Sequence, residues 1–309
     1  MLKKNSTIFL AGHKGMVGSA ILRKLKLFGY TNIIVENKKN LNLLDQKKVH
    51  NFINRIKPKV VIIAAARVGG IFINSRNKAN FIYQNLTIQN NLIHGSYLAG
   101  VKKLIFLGSS CVYPKFAPQP VKEEHLLSGK LESTNDAYAV AKISGIMMCK
   151  SYSEQFNLEY KCLMPPNMYG PNDNYDTLTS HFFSALIKKI YSAKKNSLKT
   201  IKIWGDGSPK RELLFVDDFA EACIYFMKVK TKENLINIGG GVEKKIIDYA
   251  KFIMKKLDIK KNIILDKSKP NGTPRKILNY DIAKKYGWKP KTTLDKGFDL
   301  TLKDFIQRH

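Results

Sequence analysis

A glycine-rich turn between a short apolar strand and a helix constrains this chain more than any other feature. Thr7 to Ala11 reads as a strand, Gly12-His13-Lys14-Gly15-Met16-Val17-Gly18 follows, and apolar residues then recur at helical spacing through Ala20, Ile21 and Leu25. As a bare pattern Gly-x-x-Gly-x-x-Gly says little. Between a strand and a helix N-terminus, however, it sets backbone N–H groups and the helix dipole where a pyrophosphate can sit, and the glycines let the backbone approach the anion. Far along the chain, Tyr138-Ala139-Val140-Ala141-Lys142 puts a phenol and an ammonium one helical turn apart on one face, so the cation can stabilise a phenolate. Together the two strings imply nucleotide-dependent redox chemistry.

The 309 residues suffice for one large or two modest domains, and 44% hydrophobic content is that of a globular core. Cys111, Cys149, Cys162 and Cys223 lack metal-ligand spacing, so no metal site is expected and a reducing cytoplasm fits them best. The start, Met1 to Ser6, runs straight into the first strand and leaves no room for a signal peptide's apolar region. No apolar run is long enough for a bilayer, so a membrane partner is not expected. The formal charge of +29 invites a nucleic-acid reading. Against it, only seven of the 53 basic residues are arginine, and the lysines are scattered rather than gathered in a stripe with interleaved aromatics. A solvated lysine surface is the expectation.

Strand and helix patterns alternate through the first half, as βαβ units of a parallel sheet do. The strands read Thr7 to Ala11, Asn32 to Val35, Val60 to Ala65, Leu104 to Gly108 and Tyr160 to Met164. Helical segments lie at Ser19 to Gly29, Gln46 to Ile56, Phe81 to Ala99 and Ala137 to Phe156, the last rich in small residues (Ala139, Ala141, Gly145) that allow close packing. The fold class predicted is α/β, a doubly wound parallel sheet of Rossmann type over residues 1–165, with returns from about 213–245. After Pro165-Pro166-Asn167-Met168-Tyr169-Gly170-Pro171 come longer loops, a helix from His181 to Lys194 and short strands near Ile201 to Trp204 and Leu235 to Ile238. Residues 166–309 are therefore expected to form mainly a smaller substrate-binding domain. Sheets of this kind bind ligands at the carboxyl ends of their strands, which directs attention to the residues after Ala65, Gly108 and Met164. There Ser109-Ser110-Cys111-Val112-Tyr113-Pro114 sets a hydroxyl and a thiol at the sheet edge. A serine-rich turn is ordinary by itself; Tyr138 and Lys142 on the next helix make it a candidate site.

With these strings in place the chain resembles the extended short-chain dehydrogenase/reductase family, and within it the epimerase-reductases of GDP-linked 4-keto-6-deoxy sugars. The likeness runs nearly end to end. It rests on Ala11 to Ala20, Leu41-Asn42-Leu43-Leu44-Asp45, Ala64 to Ile71, Phe81-Ile82-Tyr83-Gln84-Asn85, Gly108 to Pro114, Asn167 to Pro171, Trp204-Gly205 with Arg211-Glu212, and Lys269 to Lys276. The resemblance implies NADP (NADPH) as cofactor, a GDP-sugar as substrate and a homodimer built on the helices around Phe81 to Ala99 and Ala137 to Phe156.

It also implies roles. Hydrogens on the carbons flanking a ketone are acidic, and each enolate formed needs donors at its oxygen, here Ser109 and Tyr138. Inverting a carbon needs acid/base groups on opposite faces, which the family assigns to the positions of Cys111 and His181. A lone histidine or cysteine is more often structural; the motif match argues otherwise here. Tyr138 would then protonate the reduced C4 oxygen, its pKa lowered by Lys142, which also holds the nicotinamide ribose. The dinucleotide would lie along Gly12, His13, Lys14, Gly15, Met16, Val17, Gly18, Lys38, Leu107, Gly108, Ser109, Ser110, Tyr138, Lys142, Pro165, Pro166, Asn167, Met168 and His181. Lys14 and Lys38 can face a 2′-phosphate, while Glu36 favours an unphosphorylated ribose. Recognition of GDP falls to Lys189, Trp204, Arg211 and Lys276. Departures from the family are Lys189 where arginine is common, Pro166 where threonine is usual, and Gly239-Gly240-Gly241 in place of Gly-Thr-Gly. The competing expectations are a GDP-colitose-type enzyme, a nucleotide-sugar dehydratase, and an inactive scaffold. Cys111 and Val112 stand where a dehydratase carries an acidic pair, and the intact Ser109, Tyr138 and Lys142 speak against a scaffold.

Overall fold

Four consecutive apolar residues, all buried, make the first strand β1 (Ile8–Ala11), and a run buried on both faces is the mark of an interior parallel strand. The structure is a computed structural model and describes residues 2–176, 179–269 and 271–309; Pro270 of the Lys269 to Lys276 string lies outside them. After β1 come α1 (Met16–Leu27), β2 (Ile33–Ile34), α2 (Gln46–Ile56), β3 (Val60–Ile63), α3 (Ile71–Arg76), α4 (Lys78–Leu98), β4 (Lys103–Leu107), α5 (Asp136–Phe156) and β5 (Glu159–Met164). The second half holds β6 (Asn167–Tyr169), α6 (Phe182–Lys195), β7 (Thr200–Trp204), β8 (Lys210–Phe215), α7 (Val216–Lys228), β9 (Leu235–Asn237), β10 (Val242–Lys245), α8 (Ile246–Lys256), β11 (Asn262–Asp266), β12 (Arg275–Lys276), α9 (Asp281–Lys285) and α10 (Leu294–Arg308).

Six strands in the order β2-β1-β3-β4-β5-β9 pair in parallel throughout. The chain reverses its winding direction between β1 and β3, so the ligand crevice of such a sheet belongs there, outside the strands' carboxyl ends. Alternate strand residues feed two cores, as the two-residue period requires. Val61, Ile63, Leu104 and Phe106 pack with Val49, Leu92 and Ile146 from α2, α4 and α5. Val60, Ile62, Ile105 and Leu107 pack with Ile21, Leu25 and Phe219 from α1 and α7.

Local chemistry sets the element ends. Asp45 caps α2 by accepting from the Lys48 N–H at 3.0 Å. Helix α5 ends at Asn157 in the left-handed region. Its small residues do what their size suggests: a Cβ on Gly145 would lie 2.5 Å from the Phe106 ring and 2.8 Å from Gln89 Oε1, so α4, α5 and β4 can close together only with hydrogen there. Strands β1, β2 and β3 come out a residue or two shorter than their apolar runs, most clearly at β2, an edge strand whose two residues are only half buried, whereas β4 is shifted back by one residue and β5 gains Glu159.

A third core, from Phe183, Ile187, Tyr249, Ile253, Phe298 and Phe305, lies under α6, α8 and α10. Around it β8 pairs with β6, β10 and β12, and β11 pairs with β7. The Pro165 to Pro171 string, read from sequence as the end of the strand–helix alternation, holds a strand of its own, since β6 pairs in parallel with β8. Glu212 on β8 is fully buried yet accepts backbone N–H bonds from Gly241 (2.9 Å) and Leu278 (2.8 Å). Burial pushes its carboxyl up to about 7, against those bonds. That carboxyl ties β10 and the segment after β12 to one strand.

Candidate active site

One cavity of about 860 Å³ runs from the glycine turn, past the ends of β3, β4 and β5, to α6, β7 and β12. Its first wall is the turn itself. Gly12 sits at φ +93°, where a side chain is strained, and a Cβ on Gly18 would lie 2.0 Å from the Gly12 carbonyl oxygen. Helix α1 starts beyond Gly15 with no side chain capping it, so its first N–H groups face the cavity. The Nδ1 of His13, Oδ1 of Asn135, Oδ1 of Asn167 and Oγ of Ser180 all line the space, are buried, and have no hydrogen-bond partner. Buried polar atoms are rarely left so, and a bound polar molecule would satisfy them. The uncapped helix, the hydrogen-only glycines and the orphaned atoms fit a dinucleotide. Beyond β2, Glu36 and Lys38 both line the cavity, and Glu36 accepts from Asn40 Nδ2 at 3.0 Å.

The second wall is the loop after β4. Ser109 Oγ accepts from the Cys111 N–H at 3.2 Å, opening a single helical turn that presents the Cys111 sulfur to the cavity. The loop is anchored behind by Tyr113, whose buried hydroxyl donates to Asn237 Oδ1 at 2.6 Å, and by Ser110, whose N–H donates to the Pro165 carbonyl at 3.0 Å. Tyr138, near the start of α5, reaches the same space. Burial pushes its phenol up, the neighbouring Cys111 adds to that, and a hydrogen bond with Ser109 acts the other way.

The expected pairing of Tyr138 with Lys142 is not what the chain forms by itself. Lys142 donates to the Leu107 carbonyl at 2.7 Å and lies 4.6 Å from the centre of the Phe106 ring. Burial lowers its ammonium to about 8. Spacing puts both residues on one face of α5, but the flexible lysine stem carries its charge to the end of β4. Lys142 and Leu107 accordingly stand behind the cavity lining, whereas Gly12, His13, Lys14, Gly15, Met16, Val17, Gly18, Lys38, Gly108, Ser109, Ser110, Cys111, Tyr138, Pro165, Pro166, Asn167, Met168 and His181 are all on it.

The far end belongs to the second half of the chain. His181 occupies the N-cap position of α6, and burial together with Lys276 holds its imidazole below the usual histidine range. Lys189, on α6, places its ammonium 4.9 Å from the Trp204 ring centre, and Lys269 lies 5.8 Å from the same ring. Arg211 donates to the Lys210 carbonyl at 2.8 Å and to the Asn271 carbonyl at 3.3 Å. Lys276 pairs with Arg211 in the β12–β8 register, and its ammonium donates to Cys111 Sγ at 3.4 Å. A residue expected at the nucleotide thus stands at the thiol.

Several participants were missed in sequence. Asn172 Nδ2 donates to the Lys14 carbonyl at 2.9 Å and to Ser19 Oγ at 3.2 Å, strapping the second half onto the glycine turn. Asn85 holds both backbone groups of Arg67, accepting from its N–H at 2.8 Å and donating to its carbonyl at 3.0 Å. The strings Ala64 to Ile71 and Phe81 to Asn85 carried that signal without disclosing that they meet. Asn135 and Ser180 stood in no string. Among the described residues no group of three or more His, Cys, Asp or Glu is placed to hold a metal, and no helix is long and apolar enough to cross a membrane.

A sheet with its crevice at the β1–β3 reversal, lined by a glycine turn and a Ser/Tyr pair, defines a nucleotide-dependent enzyme of the short-chain dehydrogenase/reductase class. The model of the NAD dependent epimerase/dehydratase family matches residues 8–239, and the chain belongs to that family. Among its relatives, the GDP-L-fucose synthase of Sinorhizobium fredii is 45% identical over 97% of this chain and 95% of its own. The GDP-L-colitose synthase of Yersinia pseudotuberculosis is 37% identical over 97% of each. The solved GDP-mannoheptose C4 reductase of Campylobacter jejuni, with NADP bound, is 32% identical, covers 99% of this chain and 100% of its own, and superposes with a TM-score of 0.89.

Proposed function

We propose that the chain converts GDP-4-keto-6-deoxy-D-mannose to GDP-L-fucose, epimerising C3 and C5 and then reducing the C4 ketone with NADPH. The observation that carries this reading is that Ser109, Cys111, Tyr138 and His181 all face one cavity that also holds the glycine turn. Nearly full-length likeness to a GDP-L-fucose synthase supports the substrate. When bound, the nicotinamide supplies the hydride for C4. The chain's own groups do the rest. Ser109 and Tyr138 donate to the C4 oxygen, Cys111 and His181 exchange protons at the flanking carbons, and Tyr138 protonates the product oxygen. Lys142, behind the lining in the free chain, would hold the ribose by turning its ammonium from the Leu107 carbonyl toward the cavity. Trp204 takes the base end of GDP, and Lys189 and Arg211 the diphosphate. Lysine at Lys189 lacks a guanidinium's two-pronged fit to phosphate, which weakens affinity without changing what is bound. The second reading is a GDP-colitose-type activity on a 3-deoxy sugar, supported by the Yersinia relative.

Reduced-nicotinamide absorbance, followed with GDP-4-keto-6-deoxymannose, tests the assignment. It should fall only when the keto sugar is present, and kcat/KM should be higher with NADPH than with NADH, because Lys14 and Lys38 flank the ribose site while Glu36 is engaged by Asn40. No turnover, or turnover of the 3-deoxy analogue alone, contradicts the main reading. NADH performing as well as NADPH means that Glu36 governs the ribose.

The protein is further proposed to be a cytoplasmic homodimer with no nucleic-acid partner. Tyr83 and Leu98 on α4 and Val140 and Met147 on α5 are exposed apolar side chains on the two helices that the family uses for pairing. Light scattering should give twice the chain mass at micromolar concentration; the mass of a single chain throughout that range speaks against the dimer.

A further inference from the structure

The strand β12 is two residues long, yet it is held on every side. Arg275 makes a two-pronged ion pair with Glu243 at 2.7 and 2.9 Å. The Ile277 N–H donates to Gln119 Oε1 at 3.0 Å, the Val121 N–H donates to the Ile277 carbonyl at 2.8 Å, and the Leu278 N–H reaches the buried Glu212. These bonds fix the backbone on both sides of Lys276, and its side chain ends at Cys111 Sγ. Among the described residues Lys276 has no carboxylate within ion-pair distance. A lysine meant chiefly for a diphosphate has no need of a thiol partner, and Lys189 and Lys269, gathered on Trp204, already furnish cations at the other end.

We propose that Lys276 is a positioning residue for proton transfer at Cys111, its ammonium 3.4 Å from the sulfur favouring the thiolate over the thiol before any substrate arrives. This rests on the reading of Cys111 as an acid/base group and gives that reading its physical cause, since a thiol accepts a proton only once it has lost its own. The groups facing the sulfur are consistent with the assignment. Burial alone would push the Cys111 thiol up, but Lys276, a hydrogen bond with Ser109, and Arg211 on β8 bring it below the ordinary range. Tyr138 on α5 also faces the sulfur. His181 at the start of α6 faces Lys276, and burial first, then that ammonium, lower its imidazole below the usual histidine range. Glu132, whose charge acts on Arg211, is itself ion-paired with Lys115 at 2.9 Å. Lys276 thus faces both proposed proton carriers, Cys111 and His181.

Alkylation of Cys111 by iodoacetamide in the substrate-free protein, read by peptide mass spectrometry across the neutral pH range, tests the pairing without requiring turnover. Cys149, Cys162 and Cys223 are buried and serve as unreactive controls. The wild-type midpoint should lie below the ordinary thiol value of about 8.5. Lys276→Met should move it up by about one pH unit or more, slowing labelling at neutral pH about tenfold, while Lys276→Arg stays near wild type. A wild-type midpoint at or above the ordinary value overturns the proposal even if no variant folds. So does a Lys276→Met profile that superimposes on wild type, which would leave Lys276 to the nucleotide. Failure of the Cys111 role itself would show separately, as undiminished proton exchange in Cys111→Ser.

Discussion

Tyr138→Phe is expected to slow reduction of the C4 ketone by about two to four orders of magnitude, the usual worth of a general acid, while leaving proton exchange at the flanking carbons less affected. The substitution removes one oxygen and keeps the ring, so packing around α5 is preserved. The state of the phenol favours this role. Burial and Cys111 push its pKa up, so it carries its proton throughout the neutral range and is ready to donate to the oxygen that gains hydride. Ser109, hydrogen-bonded to the same phenol, can hold the ketone oxygen but cannot replace the proton. Single-turnover oxidation of NADPH by the variant checks this. A rate within tenfold of wild type would mean that the proton comes from elsewhere, and that Tyr138 only shapes the cavity.

Much of this was legible in the sequence because it is local. A strand, a glycine turn and a helix N-terminus are contiguous, and the hydrogen-only space at Gly12 and Gly18 is what such a string requires. The apolar runs announced the parallel sheet, since both faces of β1, β3 and β4 are buried. The rest depends on contacts between distant residues. Lys276 meets Cys111 across 165 residues, and Asn172 reaches the glycine turn across 158. Neither partner's neighbourhood hints at the other. The Tyr138–Lys142 spacing left the lysine's end point open for a different reason: helical periodicity gives the face of a side chain but not where four methylenes end, and in the free chain the ammonium is bonded to the Leu107 carbonyl. The strand β6 was hidden because proline-flanked segments read as loops, whereas its pairing is supplied by β8 from beyond α6.

Cys111 and His181 are expected to invert the sugar before it is reduced, and solvent deuterium follows that step. Wild-type protein turning over in D2O with NADPH should release GDP-L-fucose labelled at C3 and C5, because each inversion exchanges a carbon-bound hydrogen with solvent. Cys111→Ser replaces a readily ionised thiol with a hydroxyl that is a far weaker base, even with Lys276 beside it. His181→Asn removes the proton carrier at the start of α6 and keeps a polar group of similar reach. Each should lower label at C3 and C5 by about two orders of magnitude or more, and Cys111→Ser should release some sugar reduced at C4 without complete inversion. Reduction competes for whatever keto sugar remains uninverted, so that by-product identifies the affected step. Wild-type levels of deuterium at both carbons in both variants would leave Cys111 and His181 as structural residues and place the base elsewhere in the cavity.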